Sequence, residues 1–208
     1  GGGLATSAVH EILDGDDNNR TKPPENKTKY PVRKRFGEGL NGPVTAFAAA
    51  LAGRAQRARA APVIWIAPRL PGRESLYGPG LLSFGLNPAD LVIVRVASDS
   101  DFTKTALWAM EEALRAPAVG VVCAEIEEID LTSSRRLQLA AEAGGGLGLL
   151  LRPVSRNSSE ETALPPTASV SRWRISALPG APAEETWLPA RLPGRPRWKA
   201  ELLRVRGG

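Results

Sequence analysis

Two places in this chain could hold a phosphate, and neither has the full set of parts. A phosphate-binding loop needs glycines so that successive backbone N–H groups can cradle the oxygens, then Lys and Ser/Thr for the terminal phosphates and magnesium. Lys27-Thr28 supplies the pair but lies in a Pro/Asn/Lys tract without glycine. Asn41-Gly42-Pro43-Val44-Thr45 supplies a glycine turn into a helix but no lysine, and Thr45 alone does not hold magnesium. Further upstream, Asp14-Gly15-Asp16-Asp17-Asn18-Asn19 brings three carboxylates, which repel phosphate oxygens.

Other chemistry is equally short of parts. His10 is the only histidine and Cys123 the only cysteine, so neither a His-based metal cluster nor a CxxC pair is available. Cys123 falls in the apolar run Val119–Ala124 and reads as a buried strand residue. No serine sits in a nucleophile elbow, and a Ser-His-Asp assembly would have to recruit His10 from the first strand. The expectation is a chain without catalysis, metal or cofactor.

Binding chemistry has more support. Arg172, Trp173, Arg174, Arg195, Arg197, Trp198 and Lys199 mix cations with aromatics that could stack on single-stranded nucleic acid. The competing reading, which strand alternation favours, packs both tryptophans on a sheet and leaves the arginines solvated. Arg135 and Arg136 open a helix, where positive charge opposes the helix dipole. They suit either a partner contact or a bridge to Glu127, Glu128 or Asp130, and the bridge is the simpler option.

The elements that must position these residues follow from periodicity. Apolar, β-branched runs predict strands near Val9–Leu13, Val63–Ala67, Leu91–Val96, Val119–Ala124 and Leu147–Leu151. Helical spacing predicts helices from Pro43 to Gly53 or slightly beyond, and around Leu76–Phe84 with Gly85 as cap. Two more follow, one capped by Asp101 or Thr103 and one starting at Thr132 or Ser133 and stopping at Gly144-Gly145-Gly146. Strands alternating with helices imply an α/β fold, a mostly parallel sheet with helices on both faces. Strands at Ser169–Ser176 and Arg197–Arg206 suggest an antiparallel C-terminal extension, solvated on one face. Residues 1–152 then form the core, interrupted by an irregular polar and basic excursion over 14–42, and 153–208 add a loop and strands to the same domain.

The chain has 208 residues and a net charge of +5. Residues 20–35 carry seven Lys/Arg against Glu25, and residues 152–208 carry ten Lys/Arg against five Glu. A mildly acidic core thus bears two basic appendages, which read either as footprints for nucleic acid or an acidic partner, or as solvated loop and sheet edge. No apolar run approaches the roughly 18–20 residues of a membrane span, and no secretory signal is visible. The reading is a cytoplasmic protein, in which the Asn26-Lys27-Thr28 sequon has no meaning. Because the first residue is not Met, the chain is expected to be a fragment.

The opening Gly1-Gly2-Gly3-Leu4 and the succession of segments resemble the RecA core. Three stretches resemble the ImuA family more specifically: Leu107-Trp108-Ala109-Met110-Glu111-Glu112, Ser134-Arg135-Arg136-Leu137-Gln138-Leu139-Ala140-Ala141-Glu142-Ala143 and Gly194-Arg195-Pro196-Arg197-Trp198. The resemblance implies a RecA-like accessory role in the damage-induced (SOS) response. Its expected partners are RecA, the polymerase-like ImuB and the error-prone polymerase complex of translesion synthesis. The family is also similar to the division inhibitor SulA.

Set against the RecA pattern, the ATPase parts are degraded. The phosphate-loop lysine is missing, and Pro68-Arg69 stands where the resemblance places the catalytic Glu. Glu125 matches the metal-associated Asp, a degenerate metal-site position without a phosphate loop to work with. The first DNA loop shrinks to the acidic Ile126-Glu127-Glu128-Ile129-Asp130-Leu131, and the second, within 153–168, balances Arg156 against Glu160 and Glu161. RecA-style DNA binding is not expected, and at most a weak single-strand contact remains. The expected function is a non-catalytic adaptor acting through protein contacts. The alternatives are an ATP-dependent, DNA-binding RecA paralogue and a SulA-like inhibitor that caps a filament-forming partner.

Overall fold

A computed structural model describes residues 4–15, 42–69, 76–152, 165–180 and 195–206. Among these residues seven strands form one sheet: β1 (Ala8–Asp14), β2 (Val63–Arg69), β3 (Leu91–Ala97), β4 (Val121–Glu125), β5 (Leu147–Arg152), β6 (Ser171–Leu178) and β7 (Arg197–Val205). Among the described residues four α-helices pack on it: α1 (Gly42–Arg59), α2 (Gly78–Ser83), α3 (Phe102–Arg115) and α4 (Leu131–Gly144). The strand order is β3-β2-β4-β5-β1-β6-β7. Only the last pairing, β6 with β7, is antiparallel. The two C-terminal strands pair antiparallel with each other, as the sequence suggested, and β6 joins them to the core sheet by running parallel to β1.

Strand alternation assigns side chains to two cores. Ile12, Trp65, Cys123, Leu149 and Ile175 lie beneath α1 and α2, while Val9, Ile66, Val122 and Leu150 lie beneath α3 and α4. All seven residues of β1 are buried, as befits a strand covered on both faces.

Helix limits differ from the periodicity in instructive ways. α1 runs on to Arg59, past Gly53, whose missing side chain lets α1 lie against the Gly85-Leu86 backbone. Arg59 at its end donates to the carbonyls of Gly145 (2.8 Å) and Pro117 (2.7 Å), which ties the helix to two neighbouring turns. α4 begins at Leu131, because Asp130 is the cap and its carboxylate accepts the Ser133 N–H at 2.6 Å. It ends where Gly145 takes φ +75°, a left-handed stop that glycine adopts freely. Asp14 lies in β1 and Gly42 in α1, so the excursion expected over 14–42 is narrower at both ends. Its remainder, 16–41, lies outside the described residues, as do Gly1-Gly2-Gly3, Lys27-Thr28 and most of the loop expected over 153–168.

Candidate functional site

In a parallel sheet the carboxyl ends of the strands form the edge where ligands bind. Here that edge carries Asp14, Arg69, Glu125 and Arg152. Pro68 and Arg69 are the last residues of β2, so no carboxylate follows that strand directly. Glu125 ends β4 and accepts the indole N–H of fully buried Trp65 at 3.0 Å. It is engaged in holding β2 to β4 through that indole. The acidic link after it is pinned down by Ile126 and Ile129, both buried, and Asp130 is used as a cap. Among the described residues no group of three or more His, Cys, Asp or Glu could hold a metal ion.

The buried chemistry lies one strand further on. Glu11 is fully buried on the α4 side of β1, and its carboxylate accepts from Arg172 Nε at 2.8 Å and from the Thr167 hydroxyl. Arg152 lies 3.5 Å from the same carboxylate and donates to the Glu127 carbonyl at 3.0 Å. Arg204 reaches in from β7 to the Ser169 carbonyl (2.9 Å) and Thr167 Oγ1 (3.2 Å). Burial pushes the Glu11 carboxyl up, but the Thr167 hydroxyl and the charge and hydrogen bond of Arg172 outweigh it and hold the group below its usual range. This cluster joins β1, β5, β6 and β7 and was missed in the sequence. A glutamate inside the apolar run of β1 was its one available signal.

His10, next door on the opposite face, is also built in. Its Nε2 lies 2.9 Å from the Ala5 carbonyl, which can only accept, so Nε2 carries the proton. Nδ1 then accepts the Ser171 hydroxyl at 2.6 Å, and Ser171 Oγ accepts the Trp173 indole N–H at 2.7 Å. Burial lowers the imidazole pKa more than the Ala5 bond raises it.

The binding residues read from the sequence separate into groups. Arg172, read as a cation open to a partner or to nucleic acid, is only 7% exposed and committed to Glu11. Trp198 packs against Phe47 and Phe84, ring centroids 5.8 Å apart in each case, so its indole faces α1 and α2. Arg195, Arg197 and Lys199 are exposed at the sheet edge, Lys199 pairs with Glu201 at 2.7 Å, and Arg174 is half-buried on the Glu201 side. Among the described residues these cations and stacking rings are therefore not brought together.

Arg136 bridges Glu111 of α3 at 2.5 Å rather than Glu127, Glu128 or Asp130. Helical geometry explains this: position 136 faces α3, whereas the loop acids lie before the first turn. Glu111 also holds Arg115 at 2.6 Å, and the two arginines keep its carboxyl below the usual range against the effect of burial. Arg135 is exposed on the outer side. The same two helices, α3 and α4, expose Trp108 (60%), Leu139 (57%) and Leu131 (45%). An indole left this open on a helix is unusual for a packing residue.

These features define a RecA-like α/β fold with a C-terminal antiparallel strand pair. The RadB recombinase has a similar structure: it aligns with TM-score 0.54 at 13% identity over 99% of this chain and 84% of that one. SulA from Pseudomonas aeruginosa aligns with TM-score 0.44 at 24% identity over 56% of this chain and 92% of its own. In sequence the chain is 38% identical over 149 residues to Protein ImuA of Caulobacter vibrioides, in both strain NA1000 / CB15N and strain ATCC 19089 / CIP 103742 / CB 15. The match takes in 70% of this chain and 56% of those relatives, so little more than half of their length is represented. No protein-family model matches the chain. No helix among the described residues is long and apolar enough to cross a membrane.

Proposed function

We propose that this chain is a non-catalytic, RecA-like adaptor of the ImuA kind. It acts in the SOS response, supporting translesion synthesis and damage-induced mutagenesis through protein contacts with RecA, ImuB and the error-prone polymerase complex. The observation that supports this is where two of the ImuA-like stretches fall. Residues 107–112 and 134–143 lie on neighbouring helices whose inward positions, such as Met110, Leu137 and Ala140, any core of this type would need. The outward ones, Trp108, Arg135 and Leu139, are exposed and are not needed for packing. Exposed large aromatics and arginines are the residue types enriched among interface anchors.

The test is binding of the purified chain to RecA and to ImuB separately, with Trp108→Ala and Arg135→Glu variants. Binding to at least one partner that both substitutions weaken supports the adaptor. In parallel, a thermal-shift series with magnesium and ATP or its analogues is expected to show no stabilisation, since nucleotide above its dissociation constant would add kcal/mol amounts. Magnesium-dependent ATPase activity that Glu125→Ala abolishes would instead establish the ATP-dependent paralogue. Inhibition of partner filament growth at substoichiometric amounts would establish the capping inhibitor.

A further inference from the structure

β7 is the longest strand of its kind at this end of the sheet, nine residues, and among the described residues it pairs on one side only, with β6. Its outer edge presents a row of backbone donors and acceptors, a template for another strand. No proline lies within Arg197–Val205 to blunt this edge, and at its centre Lys199 is offset by Glu201 two residues on, with Arg197 and Arg204 toward the two ends leaving the strand at a net charge of +2.

The order of its residues is self-complementary. The register with β6 sets Trp198, Ala200 and Leu202 on the face of Ile175 and Trp173, and Lys199 and Glu201 on the face of Arg174. Two copies of β7 running antiparallel about a two-fold axis at Ala200 place Lys199 opposite Glu201 of the second copy, and Glu201 opposite its Lys199. The same register places Trp198 opposite Leu202, which is half exposed in the single chain. Opposite charges meet on one face and apolar side chains on the other, both favourable cross-strand pairs. The other sheet edge, β3, carries Arg95 as its one charge and has no such symmetry.

We infer that β7 is the interface of a symmetric dimer, in which two chains join edge to edge in one continuous sheet. The contact is isologous and closes after two copies. It also leaves the outer face of α3 and α4 free on each chain.

Sedimentation or light scattering across a concentration series tests this. The expected mass rises from 22.1 kDa to twice that value. Lys199→Glu and Glu201→Lys each place like charges opposite one another and should each be monomeric with unchanged circular dichroism. Mixed together they should form a heterodimer, because every cross-strand pair is then opposite in sign. Should a single reversal disturb folding, the doubly reversed chain decides, since it restores all pairs: a dimer supports the interface and a monomer overturns it. Wild-type chain that stays monomeric at the highest concentration, or single reversals that leave the dimer intact, would also overturn it.

Discussion

Glu11 and Arg172 meet at 2.8 Å in the interior although 161 residues separate them in the chain. The pair fixes β6 beside β1 in parallel register and sets Arg172 opposite Glu11 in the ladder itself. Because both side chains are almost fully buried, the bond holds only while both partners are present.

Replacing one partner is therefore expected to be severe. Glu11→Gln leaves Arg172 and the nearby Arg152 without a counter-charge and should cost about 3–5 kcal/mol, the range for breaking a buried pair. Denaturant unfolding checks this. The pair also predicts an acid limb: with the Glu11 pKa held below 4.5, its contribution is complete above that pH and is lost as pH falls through the folded-state value. The variant should lack that limb.

A second pH dependence lies higher. The His10 pKa is lowered from 6.5, so the unfolded chain takes up the proton first. Stability should be independent of His10 above 6.5 and decline as pH drops from there toward the folded-state pKa. Protonated Nδ1 would also lose its role as acceptor for Ser171. Thermal melts between pH 5 and 8 should show the decline in the wild type and not in His10→Gln.

Cys123 is expected to be inert. It is fully buried, and burial with the nearby Glu125 charge pushes its thiol far up, so almost no thiolate exists at neutral pH. A thiol reagent should label it only as fast as the chain unfolds. Rapid labelling of the native protein would contradict the packing described for β4.

Most of the α/β alternation was legible because it is local. Val63–Ala67 and Leu147–Leu151 are short β-branched or aliphatic runs, and Gly144-Gly145-Gly146 announces the end of α4 in its glycines alone. The direction of β6 was not legible: parallel pairing to β1 is set by a long crossover and by Glu11 and Arg172, neither of which has a local signature. Position 136 was misassigned for a related reason. Its helical phase toward α3 matters more than its closeness in sequence to Glu127 and Glu128. On the candidate interface, the identities of Trp108 and Leu139 were visible, but their exposure depends on how α3 and α4 lie together.

Gly144 gives a sharp test of that helix packing. A Cβ there would lie 1.9 Å from the Leu114 carbonyl oxygen and 3.0 Å from Arg115 carbonyl carbon, backbone atoms that no side-chain rotation can move. Gly144→Ala should therefore cost at least about 1–3 kcal/mol, the usual range for overpacking, despite the higher helix propensity of alanine. Trp108→Ala, which removes a side chain that is mostly in water, should change stability by no more than about 0.5 kcal/mol. The two variants separate the fold from its surface. If the α3–α4 face binds a partner through the indole, Trp108→Ala should weaken that complex by tenfold or more, roughly 1.4 kcal/mol, with an unchanged melting temperature. Equal partner affinity in wild type and Trp108→Ala, with folding intact, would remove this face from the adaptor function.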